Sequence, residues 1–273
     1  MTRHLLLTTA AAVPLAASGT TLAAQDTHPE TGEPLAETQV FKYRLLDQFP
    51  TIDPQLIEET AGGHVARQIF EGLLTQNADG TLRPGVATEW SSEDNQTWTF
   101  TLRDNAKWSN GDPVTAHDFV YTFHRSIEAP QSYIPLLMPF VDIDSSDLIE
   151  VVDDRTFSVS ANRPTALLER FLTFQVFAPI DKELAEANST EEDPWAFDYF
   201  VDHNNSSGPY TIADWDRATG EIVLDLNQYY PGEVNNCGVI IKNIPDSEQR
   251  VQLLQSGELD VIMGVPPRLL PVL

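Results

Sequence analysis

Polar and apolar positions alternate most regularly over Trp98-Thr-Phe-Thr-Leu-Arg103, the period of a strand with one buried face. The Asn110-Gly111-Asp112-Pro113 that follows marks a turn, since Gly tolerates positive φ and Pro cannot continue a ladder. Beyond it Thr115 stands as an N-cap with Asp118 three positions on, a relative of the capping box, and Phe119, Val120 and Phe123 form an apolar helical face. The stretch from Trp98 to Tyr121 therefore predicts strand, loop, turn and capped helix.

The same reading places the other elements around it. A strand is predicted from Val40 to Leu46, and an amphipathic helix from His64 to Leu74 with Val65, Ile69 and Leu73 on one side. From Thr75 to Thr173 the chain is strand-rich: a strand at Trp90, then 148–152 and 156–160 across an Asp153-Asp154 turn, with helices over 115–127 and 132–140. This resembles an inserted α+β subdomain whose core would hold Trp90, Trp98 and Trp108. Strands at 209–215 and 221–227 follow, about an Ala218-Thr219-Gly220 turn. A strand at 238–244, a helix at 247–256 capped by Gly257, and a strand at 259–263 complete a β-α-β unit. A return to α/β after an excursion is the layout of a discontinuous lobe.

Composition narrows the class. The first 24 residues read as a secretory signal, with Arg3 at the start and an uncharged apolar run from Leu5 to Ala17 that is too short to span a bilayer. Residues 25–37 are polar and hold Pro29, Gly32 and Pro34, so a flexible mature N-terminus is expected. The single cysteine, Cys237, excludes an internal disulfide, and the lack of a cysteine near the cleavage region argues against lipid anchoring. Acids outnumber bases 41 to 16, and removal of Arg3 with the signal takes the net charge from −25 to −26. Such a surface excludes phosphate-backbone binding, and with only four lysines it suits high external salt.

The acids near the turn, Asp104, Asp112 and Asp118, invite an acid/base reading of the kind used in glycoside hydrolysis. Helix-start electrostatics explains Asp118 and the turn explains Asp112. Ser206-Ser207-Gly208 lacks the G-x-S-x-G setting, and His117, His124 and His203 have no zinc spacing. An exported acidic hydrolase acting on polysaccharide stands as the competing class.

The ordered run Leu102-Arg103, Ala106-Lys107-Trp108-Ser109-Asn110-Gly111, Pro113-Val114-Thr115-Ala116 and Asp118-Phe119-Val120-Tyr121, preceded by Pro84-Gly85-Val86-Ala87, resembles the signature region of the extracytoplasmic solute-binding proteins of the oligopeptide and dipeptide family. The likeness extends to Ile52-Asp53-Pro54-Gln55, Ile69-Phe70-Glu71-Gly72-Leu73-Leu74, Gly208-Pro209-Tyr210 and Ser256-Gly257-Glu258-Leu259-Asp260-Val261. It implies an α/β, periplasmic-binding-protein-like (type II) first lobe, residues 38–74 and 174–265, with an inserted α+β subdomain at 75–173. On the same resemblance the second lobe would be missing and 266–273 would be the start of the hinge, so a truncated chain is expected.

The resemblance further implies a periplasmic receptor, monomeric when complete, that binds short peptides and delivers them to an inner-membrane ABC permease, with no cofactor, metal or chemistry of its own. Family relatives also carry nickel complexes, glutathione or oligosaccharides. In that family a backbone segment after the first strand meets the peptide, and here it matches Asp47, Gln48, Phe49 and Pro50. Pro50 has no N–H, so one ladder donor is absent. Tyr133 falls near where relatives place an aromatic facing the cleft; a core tyrosine is the other reading. The carboxylate that holds the peptide's amino end in the family belongs to the second lobe and has no counterpart here.

Overall fold

The computed structural model describes residues 39–273 apart from Leu46 and Tyr133, so the signal, the N-terminal segment and the Tyr133 assignment lie outside the described residues. In chain order the strands are β1 Val40–Leu45, β2 Leu74–Gln76, β3 Leu82–Pro84, β4 Ala87–Ser91, β5 Thr97–Leu102, β6 Ile149–Asp153, β7 Thr156–Ser160, β8 Tyr210–Asp216, β9 Glu221–Leu226 and β10 Gly238–Asn243. The helices are α1 Thr60–Ile69, α2 Ala116–Glu128, α3 Leu168–Phe171, α4 Lys182–Asn188, α5 Phe197–Phe200 and α6 Ser247–Gln255.

Two four-stranded sheets carry two apolar cores. The first sheet runs β1-β10-β9-β8, with β1 parallel to β10 and the other pairs antiparallel. Its alternate side chains Leu45, Ile222, Leu224, Val239 and Ile241 meet Val65 and Ile69 of α1 in one buried cluster. The second sheet, β4-β5-β7-β6, is antiparallel throughout. The alternation of β5 puts Trp98, Phe100 and Leu102 inward, where α2 lies against them. Phe157 sits at the centre, with ring centroids 5.4 Å from Phe100 and 5.7 Å from Phe119. Each such fully buried phenylalanine contributes about 2–3 kcal/mol through removal of apolar surface from water.

The α2 start follows its sequence. Asp118 Oδ2 accepts from the Thr115 N–H at 2.8 Å and from the Thr115 hydroxyl at 3.0 Å, while Asp118 Oδ1 accepts the Lys182 N–H at 3.0 Å at the head of α4. Burial nonetheless raises the pKa of this carboxyl, and the charge of Asp181 adds to the rise. The Asn110-Gly111 turn forms with Gly111 at φ +98, the region that favours glycine.

The motif Ile52-Asp53-Pro54-Gln55 joins the two cores. Arg125 of α2, wholly buried, donates to Asp53 at 2.5 and 3.1 Å, to Gln55 Oε1 at 2.8 Å and to the Trp195 carbonyl at 2.9 Å. Its guanidinium also lies 3.6 Å from the ring centroid of Phe197. A second seam joins Phe70-Glu71-Gly72-Leu73 to Pro84-Gly85-Val86-Ala87: the Val86 N–H donates to Gly72 O at 2.9 Å and the Ala87 N–H to Leu73 O at 3.1 Å. A Cβ on Gly85 would stand 2.3 Å from Gly72 O, so the approach excludes any larger residue.

Three predicted elements differ. The helix expected over 132–140 is instead two 3₁₀ turns, Ile134–Leu136 and Met138–Val141. Pro135 and Pro139 each remove an N–H from an α ladder, and Asp142 ends the segment with φ 55. α1 starts earlier than expected and ends at Ile69, because the Ile69 carbonyl accepts the Gly208 N–H at 2.9 Å and the chain turns extended at Phe70. Leu73 is therefore buried in the second core and not on α1. The strand expected over 259–263 shrinks to one parallel bridge between Tyr43 and Val261. Asp260 supplies a side-chain rung there, its Oδ2 accepting the Lys42 N–H at 2.7 Å, and Gly264 at φ +67 turns the chain away.

Candidate ligand-binding surface

The segment after β1 lines a cavity of about 400 Å³ together with Leu45, Trp215, Arg217 and Gly220. Phe49 is buried and stacks on Trp215 at 4.9 Å, so it serves the first core. Arg217 lies 3.4 Å from the Trp215 ring centroid and donates to the Pro50 carbonyl at 2.9 Å and the Val201 carbonyl at 3.3 Å. Pro50 thus offers neither an N–H nor an uncommitted carbonyl. Asp47 and Gln48 are exposed at the mouth.

Three further cavities lie beside α1. One cavity of about 400 Å³ is lined by Phe41, Tyr43, His64, Arg67, Gln68 and Tyr210 among others. A second, about 460 Å³, is lined by Ile57, Glu58, Glu59, Thr60, Gly63, His64, Arg67 and Gln175. A third, about 340 Å³, lies between the end of α1, the β2–β3 hairpin, Phe174 and Tyr230. Arg67 lines all three, and the volumes fall in the range that holds small organic ligands. Glu59 Oε2 is buried there without a hydrogen-bond partner. Burial pushes the Tyr43 phenol up to about 12, and burial with the Glu71 charge raises that of Tyr230.

Glu71 itself is committed. Arg103 pairs with it and donates to the Gly85 carbonyl at 3.0 Å, and the Tyr230 hydroxyl lies 3.4 Å from Glu71 Oε1. Sequence spacing alone would pair Arg67 with Glu71 as an i,i+4 couple; the end of α1 at Ile69 removes that geometry.

The acids weighed for chemistry are held by local structure. Asp112 Oδ2 accepts from the Asn110 side chain at 2.6 Å and its carbonyl accepts the Trp108 N–H at 2.8 Å, both within the turn. Asp118 caps helices as described, and Asp104 is exposed. Among the described residues no group of three or more His, Cys, Asp or Glu side chains is placed to hold a metal ion. No helix among them is long and apolar enough to cross a membrane.

The residues lining these cavities come from many separate stretches and share no spacing, so the sequence alone does not bring them together. The signal that existed was an arginine, Arg67, on a helix with no acid of its own in an otherwise acidic chain.

Comparison with known proteins gives one answer. The family model described as bacterial extracellular solute-binding proteins, family 5 Middle, matches residues 81–273. The periplasmic oligopeptide-binding protein OppA of Salmonella typhimurium is 31% identical over 251 residues, covering 86% of this chain and 45% of that protein. The oligopeptide-binding protein OppA of Bacillus subtilis is 32% identical over 235 residues, 81% of this chain and 42% of the relative. Among solved structures, the Haemophilus influenzae OppA complex with RPPGFSPFR superposes with TM-score 0.76 at 29% identity, covering 87% of this chain and 48% of that one. The Escherichia coli murein tripeptide binding protein MppA gives TM-score 0.77 at 26% identity over 87% and 48%. The chain spans about half the length of the relatives it matches.

Proposed function

This chain belongs to the family 5 bacterial extracellular solute-binding proteins, and from that premise we propose that it is the peptide-binding component of an ABC importer, working in the periplasm after export. It captures short peptides and hands them to a membrane permease without transforming them. The observation that carries this reading is the match of most of the chain to oligopeptide-binding relatives, in sequence and in backbone. The groove along α1, centred on Arg67, is the surface we assign to the ligand in this half, with the Asp47–Pro50 cavity as a flanking contact. Its three cavities share Arg67 and together suit an extended backbone.

Thermal unfolding in the presence of tri- to pentapeptides tests the proposal. A ligand that binds only the native state raises the melting temperature in proportion to RT ln(1 + [L]/Kd). A peptide-dependent rise that saturates, and that Gly63→Trp in the groove abolishes without loss of fold, is the expected result. A melting temperature indifferent to every peptide up to millimolar concentration overturns it.

A further inference from the structure

Most arginines among the described residues are engaged in side-chain hydrogen bonds or ion pairs. Three arginines line cavities, and of these Arg217 is held by the Pro50 and Val201 carbonyls and the Trp215 ring. Arg67 and Arg83 both line the cavity between α1, the β2–β3 hairpin and Phe174, and among the described residues neither donates a side-chain hydrogen bond nor forms an ion pair. The one acid in the same lining, Glu71, is neutralised by Arg103, which is outside it. Glu58 and Glu59 belong to the neighbouring cavity. Arg67 lines that neighbouring cavity too, yet it makes no ion pair with either acid, so two guanidinium groups without a hydrogen-bond or ion-pair partner among the described residues line one concavity in a protein of net charge −25. An acidic surface has many carboxylates able to absorb a stray arginine, so a pair left uncommitted across one cavity is poised for a partner from outside.

We propose that this cavity is an anion pocket in which Arg67 and Arg83 grip a carboxylate of the bound ligand, which makes the protein selective for peptides that carry one there. The proposal rests on the peptide-receptor reading for the identity of the ligand and on the cavity alone for its charge. Guanidinium groups suit the task because their fixed forks match a carboxylate, and charge-assisted hydrogen bonds are the stronger kind. Arg83 is near enough to Tyr230 for its charge to oppose the rise of that phenol, which places the cation beside a hydroxyl able to join the same anion. Phe70, Leu74, Phe174 and Pro209 supply apolar wall beside the pair. The carboxylate can come from an acidic side chain or from the peptide's C-terminus; the shared chemistry is the anion.

Isothermal titration of the full chain with Ala-Glu-Ala, Ala-Gln-Ala and their C-terminal amides separates these sources. We expect loss of the relevant carboxylate to weaken binding roughly tenfold or more, and Arg67→Gln and Arg83→Gln each to erase most of the difference in affinity between the acidic peptide and the carboxylate-free amide. Arg83→Lys should retain part of the preference. Both arginines are exposed, so circular dichroism should show intact folds. If all four peptides bind alike and the variants change nothing, the anion pocket is wrong and the receptor reading survives. If no peptide binds but free glutarate does, in an Arg67- and Arg83-dependent way, the pocket stands and the peptide reading falls. Failure of peptides and glutarate alike overturns the pocket.

Discussion

Replacement of Asp53 by Asn tests how the two cores are joined. The carboxylate and the Arg125 guanidinium are both wholly buried, and each Asp53 oxygen accepts one guanidinium N–H. Asn preserves the shape and one acceptor but turns an NH₂ toward Nη2, setting donor against donor and leaving a buried cation with no counter-charge. Breaking a buried pair from one side costs about 3–5 kcal/mol, because the orphaned ion keeps its desolvation penalty. Gln55 Oε1 and the Trp195 carbonyl remain to the guanidinium, which places the expectation near the lower end, about 3 kcal/mol. Urea unfolding at neutral pH, followed by far-ultraviolet circular dichroism and tryptophan fluorescence, reads this loss directly. Arg125→Met should be comparably costly alone, whereas Asp53→Asn with Arg125→Met should lose much less than the sum, since no orphan charge remains. The Asp53→Asn loss should be the same in low and molar salt, because a buried pair is scarcely screened. A loss below about 1 kcal/mol, or additive single effects, would refute the argument that this pair holds the cores together.

Gly111→Val should destabilise by about 1–3 kcal/mol, since a β-branched residue at φ +98 is strained and its Cβ would meet the Tyr229 ring at 3.0 Å; an unchanged melting curve would show the turn to be permissive. Burial pushes the phenols of Tyr43 and Tyr121 up to about 12 from an ordinary 10.0. For such raised groups the unfolded chain loses its protons first, so their contribution is intact below pH 10.0 and is lost as pH rises toward about 12. Absorbance at 295 nm should show these two phenolates appearing only with unfolding, and ionisation at the ordinary value in the native state would contradict it. The excess of 41 acids over 16 bases should make apparent stability rise from low to molar salt, and a flat or falling melting temperature across that series would remove the case for a salt-adapted surface.

Much of the secondary structure was legible because local rules and tertiary demands agree. The β5 alternation, the Gly111 turn and the Thr115–Asp118 cap each form as their residues dictate. Legibility failed where prolines inside a segment outweigh its apolar pattern, and where a partner distant in sequence decides the outcome. The apolar residues over 132–140 look helical until Pro135 and Pro139 are counted against the ladder. α1 stops at Ile69 because Gly208, far along the chain, takes its last carbonyl. Val261 pairs with β1 at one residue because an aspartate side chain replaces the next rung. The four residues after β1 do line one cavity, within which Phe49 packs into a core and the Pro50 carbonyl is held by Arg217. The groove along α1 exists only once separate stretches are brought together. Ile52-Asp53-Pro54-Gln55, which read as part of a family pattern, has a structural role as the anchor of Arg125.

The parallel pairing of β1 with β10 sets an order on how the molecule can assemble. Val40 lies opposite Gly238, so the first sheet joins residues 198 positions apart. The second sheet is stitched by neighbours, β4 with β5 and β6 with β7, and α2 crosses it from within the same stretch. Local pairings close quickly, whereas a distant one waits until the entropy of the long intervening loop has been reduced. On this ground the β5 region is expected to condense first, and β1, the first of the strands to be synthesised, to pair with β10 last. Until then it presents an open edge bearing Phe41 and Tyr43, the point at which a holding chaperone would do the most good.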